Sequence, residues 1–170
     1  MSALKFLALL VVAVTVHSLG VRLWGDFAVF FDVFLVLTIA WAFEATTLTG
    51  LAAGLAAGLA ADAFSGGIYG LNGFANTLVG YLTAFSVANL SKMSTSGAAI
   101  VCALAAVTQQ LVLTLLVFVM VAEPTAPALV PMIWKIFITA AAGAVLFSAR
   151  KRLIELTGSR RRAREARLRF

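Results

Sequence analysis

The chain has 170 residues, 62% hydrophobic and 12% charged, with a mean hydropathy of +1.04. A soluble domain carries about 25% charged residues, so this composition excludes an ordinary soluble enzyme or nucleic-acid binder and indicates an integral membrane protein. The net charge of +6 sits in one place: residues 150–170 hold nine Lys/Arg against Glu155 and Glu165, while the rest of the chain holds four basic and five acidic groups.

Residues 1–21 read as a retained first helix, because the apolar run is near spanning length and no small-residue cleavage site follows it. His17 stands near its end with no second ligand-type residue beside it, as an interfacial or core histidine. Arg22 to Asp26 form a turn, and Trp24 suits a membrane interface. A second helix is expected over 27–43, with Asp32 about one turn inside it, where a carboxylate must face protein, water or headgroups. A third covers 45–64, with Thr46 and Thr47 as candidate caps. SGGIYGLNG (65–73) is a short connection containing Gly67 and Gly70. The fourth helix, 71–90, puts Asn72, Asn76 and Gly80 on one face. After the polar loop 91–97 a fifth helix runs 98–121, with Gln109 and Gln110 at its middle, where at least one amide should bond inside the bundle. A loop with all three prolines, 123–131, precedes a sixth helix, 132–147, whose Lys135 is expected to snorkel outward. The domain plan is therefore a membrane domain, 1–149, and a basic tail, 150–170.

Gly50 to Ala61 reads GLAA three times and runs into Asp62. Gly50, Gly54, Gly58 and Asp62, four apart, fall on one helix face, as in the small-residue contacts of membrane helices. This marks the third helix as central, packed by neighbours on several sides. Asp62 is expected to accept backbone or Asn hydrogen bonds at the helix end. Six helices with a basic end place both termini in the cytoplasm by the positive-inside rule. Lys5 and Lys92 then fall inside and Asp26, Asp32, Asp62 and Glu123 outside, with Arg22 the exception.

No catalytic residue is indicated. The chain lacks a phosphate-binding loop ending in Lys-Ser/Thr, an HExxH pair and any plausible Ser/His/Asp set, since His17 is its one histidine. Cys102 alone excludes a disulfide within the chain and a Cys-based metal cluster, and reads as a small buried hydrophobe. No metal or cofactor is expected. Arg160, Arg161, Arg162 and Arg164 suit anionic lipid, a cytoplasmic partner, or only the fixing of topology.

DVFLVL from Asp32, Gly50 through GLAAD ending at Asp62, Ser65-Gly66-Gly67, Gly70-Leu71-Asn72 and Val79-Gly80-Tyr81-Leu82 resemble, in order and spacing, the rod shape-determining MreD family. Phe31 stands where the family often has proline, and Gly73-Phe74 where it has a more aliphatic pair. The resemblance implies an all-α polytopic protein of the bacterial inner membrane, a six-helix bundle like the substrate-binding subunits of energy-coupling-factor transporters. It implies a non-enzymatic scaffold or regulator of cell elongation and peptidoglycan synthesis. Its partners would be an MreC-like bitopic protein, MreB, RodA and a penicillin-binding transpeptidase, with no nucleic acid. A partner's membrane helix is expected on the Gly50, Gly54, Gly58 face. The competing reading is a vitamin-type binding subunit, with a pocket lined by Asn72, Asn76, Gln109 and Gln110. A membrane enzyme or channel is disfavoured by the missing catalytic set and the missing intramembrane charge ring.

Overall fold

The structure is a computed structural model that describes residues 3–89, 94–121 and 129–167. Lys92, Glu123, Pro124 and Pro127 lie outside the described residues. Among the described residues there are helices and no strands: α1 (Ala3–Leu23), α2 (Phe27–Phe30), α3 (Val33–Ala42), α4 (Thr47–Ser65), α5 (Leu71–Asn89), α6 (Thr95–Met120) and α7 (Leu129–Arg167). Side-chain caps open three of them. Asp32 accepts from Leu35 N at 2.9 Å, Thr46 from Thr49 N at 3.4 Å, and Ser94 from Gly97 N at 3.1 Å.

The segment expected as one second helix is broken. Phe31 is extended (φ −134°, ψ 121°), and Asp32 is the N-cap of α3 rather than a residue one turn inside a longer helix. The carboxylate competes for the free N–H groups of α3 and starts a new helix there. The other end of the chain is more continuous than expected. The residues assigned to a basic tail carry on the helix of α7 as far as Arg167.

Among the described residues, four helices are long and apolar enough to cross a membrane: α1, α4, α6 and the Leu129–Ala149 part of α7. Phe27–Ala42 is apolar but shorter. Large apolar side chains such as Leu4, Val12, Leu19, Ile100, Leu111, Phe118 and Phe137 are exposed around the outside. This surface is compatible with a membrane protein and unlike a water-facing one.

The most enclosed helix is α3, not α4. Eight of its ten residues are buried, and it packs against α1, α4, α5, α6 and α7. One apolar cluster joins Leu35 and Ile39 to Val79, Cys102, Ala105 and Ala106. A second joins Val33, Phe34 and Leu37 to Ala13 and Ala57. Cys102 is fully buried against Gly143 of α7, where an added Cβ would overlap its sulfur.

Most extensive is the pairing of α4 with α5. Their two small stripes meet directly. Cβ atoms at Gly50, Gly54 and Gly58 would run into the backbone carbonyls of Gly80, Asn76 and Asn72 in turn. Each step of four up α4 is a step of four down α5, so the helices form an antiparallel hairpin in backbone contact. Such closeness allows Cα–H···O contacts that side chains would prevent. The face expected to receive a partner's helix is thus occupied from within the chain.

Candidate functional site

Three groups of polar residues meet at the end of the bundle that carries the α4–α5 turn. The first is built on Asp62, the last buried step of the glycine stripe. α4 ends at Gly66 in the left-handed conformation (φ 64°), and Gly70 (φ 102°) turns the chain into α5. Both positions favour glycine. The reversal brings the start of α5 over Asp62. Its Oδ2 accepts from Gly70 N and Gly73 N, both at 2.9 Å, and its Oδ1 accepts from Asn72 N and Asn72 Nδ2, both at 3.0 Å. One carboxylate on α4 therefore satisfies the free N–H groups at the start of α5, where the helix dipole also favours negative charge. Gly67 makes no close contact of this kind. Asp62→Ala is expected to cost about 3 kcal/mol, the loss of several bonds to a charged acceptor, and Asp62→Asn about half of that. Unfolding in mixed detergent micelles measures it, and an Asp62→Ala protein as stable as the parent would remove Asp62 from this role.

The second group centres on Gln109. Its Nε2 donates to Asp32 Oδ2 and to Asn76 Oδ1, each at 2.9 Å. Lys135 Nζ lies 3.2 Å from the same Asp32 oxygen. Asp32, Asn76 and Gln109 are buried, and together with Lys135 they tie the start of α3 to α5, α6 and α7. Gln109 Oε1 and Asn76 Nδ2 are buried with no partner among the described residues. Gln110, half-buried, takes no part. Of the residues expected to line a pocket, Asn76 and Gln109 bind one another and Asn72 donates to Asp62, while Gln109 Oε1 and Asn76 Nδ2 keep unused hydrogen-bonding capacity.

Lys135 was expected to reach outward, and instead turns in to Asp32. The signal that could have found it is electrostatic: a carboxylate inside an apolar chain needs a cation or several donors, and Lys135 stands alone in an otherwise apolar helix start.

The third group is a pocket of about 140 Å³. His17 from α1, Asp32, Lys135 and Asn72 bring polar groups to it, and Phe34 and Phe64 wall it. The His17 ring lies 5.2 Å from Phe34 and 5.3 Å from Phe64 between centroids, and its Nδ1 is buried without a partner among the described residues.

At the opposite end lies a larger groove of about 400 Å³ between α1, the end of α3 and the first half of α4. Its floor is the small residues Ala45, Thr49, Ala52 and Ala56, and Phe6 and Trp41 stack edge-on at its side (centroids 5.0 Å apart). Ala52 and Ala56 belong to the same repeat as the glycines but face the other way. Arg160, Arg161, Arg162 and Arg164 lie on the continuation of α7, far along the chain from all three groups. Among the described residues no cluster of His, Cys, Asp and Glu could hold a metal ion.

Among the described residues the chain is all-helical, with four helices apolar and long enough to span a bilayer and a buried polar core. Comparison with known protein families, with characterised proteins and with solved structures finds no match to this chain.

Proposed function

We propose that the protein is a non-enzymatic scaffold of the bacterial inner membrane, acting in the cell-elongation complex as the MreD resemblance implies. In this reading six helical segments cross or enter the membrane and both termini are cytoplasmic. The Leu129–Ala149 segment carries the basic continuation of α7 into the cytoplasm, towards anionic lipid or MreB. RodA and a penicillin-binding transpeptidase are further partners.

One observation carries the scaffold reading. The alanine side of the GLAA repeat is left open along the 400 Å³ groove, with small residues at positions 45, 49, 52 and 56. Thr49, Ala52 and Ala56 share one face of α4, and with Ala45 just before the helix they make a small-residue surface that lets another backbone approach closely. The groove suits a single apolar helix, such as the membrane anchor of an MreC-like bitopic protein. The residues that carry the resemblance support the same reading. Asp32, Asp62, Asn72, Gly50, Gly54, Gly58 and Gly80 all make internal contacts, which set the shape of the bundle.

The test is co-purification from the native membrane in gentle detergent. Ala52→Leu with Ala56→Leu fills the outward face and leaves α5 untouched. The double variant is expected to insert and fold normally and to lose a single-pass partner by about tenfold, which is 1.4 kcal/mol. A partner recovered in full would remove the groove as the interface. Recovery of ATPase subunits with a coupling subunit would replace the scaffold by the transporter reading.

A further inference from the structure

The 140 Å³ pocket beside Lys135 is not used by the scaffold reading, and its chemistry is specific. Asp32 and Lys135 bring one negative and one positive charge to it, 3.2 Å apart. Of about four accepting positions on a carboxylate, Asp32 uses three, for Leu35 N, Gln109 Nε2 and Lys135 Nζ. An ammonium group has three donors, and Lys135 gives one to Asp32. His17 adds the buried, unpartnered Nδ1. Phe31, Phe34 and Phe64 complete the wall.

Charge balance selects the occupant. The pair is neutral as a unit. A simple anion or a simple cation would leave one uncompensated charge in a poorly solvated site, which is costly. A molecule that is itself neutral but carries separated poles adds no net charge and can meet both. Phenyl faces attract ammonium groups. The volume equals that of roughly four or five waters at about 30 Å³ each, enough for an acid group and an amine on a short linker.

We propose that this pocket binds a small zwitterion, with its acid group on Lys135 and its ammonium group against Asp32 and the phenyl rings. The same chemistry is offered by the headgroup of an aminophospholipid and by a free amino acid. The site is independent of the helix groove, and its test involves no partner protein.

The experiment uses the full chain in nanodiscs. In mixed phosphatidylethanolamine and phosphatidylcholine discs, native mass spectrometry reads which lipid stays bound. In pure phosphatidylcholine discs, calorimetric titration with glycine, β-alanine, ethylammonium and acetate reads free ligands. A headgroup site retains phosphatidylethanolamine about tenfold over phosphatidylcholine, 1.4 kcal/mol. A free-ligand site binds glycine or β-alanine about tenfold tighter than either single-charge probe, the same 1.4 kcal/mol. Asp32→Asn with Lys135→Met abolishes either result. Ala61→Leu, which fills the pocket wall without touching the pair, abolishes it as well and reports even where the double variant is poorly folded. The proposal is overturned if the wild-type protein shows neither preference, if the single-charge probes bind as well as the zwitterions, or if Ala61→Leu binds like wild type.

Discussion

Gly54→Ala is expected to destabilise the α4–α5 hairpin by about 3 kcal/mol through overpacking, about 2 kcal/mol net, because alanine is the better helix former by about 1 kcal/mol. The reason is what the new methyl group meets. It would overlap the backbone carbonyl of Asn76, with the Thr77 Cα also within 3.1 Å. A flexible side chain could swing aside, but a helix backbone moves only as a unit. Moving α5 away would draw Asn76 Oδ1 from Gln109, to which it is bonded at 2.9 Å, and loosen the tie to Asp32. Overpacking therefore spreads from an apolar contact into the polar core, which puts the cost at the upper end of its range. Gly67→Ala is the control, since only Ser65 Oγ lies near it, at 3.9 Å, and it should change stability by less than about 0.5 kcal/mol. Equilibrium unfolding in mixed micelles compares the two. A Gly54→Ala protein as stable as the parent would mean that the close helix contact is not there.

Removal of the charge at Lys135 has an expected effect at least as large. Lys135→Met leaves Asp32, about 10% exposed at its side chain, without its cation. Breaking a buried pair from one side costs about 3–5 kcal/mol. Adding Asp32→Asn should restore most of that loss, because the remaining network can rearrange. An Asn side chain at that position still offers an oxygen to Leu35 N. Its amide would meet Gln109 Nε2 donor to donor, but Gln109 Oε1 is unpartnered, so the Gln109 amide can turn over. Asn76 Nδ2 is also unpartnered and can turn with it to donate to the same oxygen. The expected order of stability is wild type, then the double variant close behind, then Lys135→Met well below. A single variant no worse than the double would show that the pair is not coupled.

How much of this was readable beforehand depended on whether a signal named its partner. The GLAA stripe announces that a backbone comes close on one face, and the Asn72, Asn76, Gly80 face announces the same on the next helix. Neither says whose backbone arrives. The five-residue link between the two helices, 66–70, makes a hairpin the nearest solution, and the two stripes find each other at the expense of the intermolecular reading. Asp62 was legible because its location at a helix end, eight to eleven residues before the next helix start, leaves few donors within reach. The break at Asp32 was not, since Phe31-Asp32 carries no glycine or proline and only the cap geometry starts α3. Lys135 depends on the rotation of α7 about its axis, which an apolar helix with one charge does not specify. The centrality assigned to α4 belongs to α3 because two sides of α4 are small for different reasons: one meets α5, while the other lines the open groove.

The α4–α5 contact has a further property as a device for measuring length. A repeat of four residues is its own copy when shifted by four. Gly54 could sit opposite Gly80, and Gly58 opposite Asn76, with nearly the same fit, which is a slide of about 6 Å along the axis. Glycine against carbonyl cannot tell these alignments apart. Asp62 can, because it occurs once in the stripe and its four donors, from Gly70, Asn72 and Gly73, occur once on the other side. The carboxylate is the pawl on a ratchet whose teeth are all alike, and the depth at which Asn76 meets Gln109 is set by it from about two helical turns' distance along the hairpin.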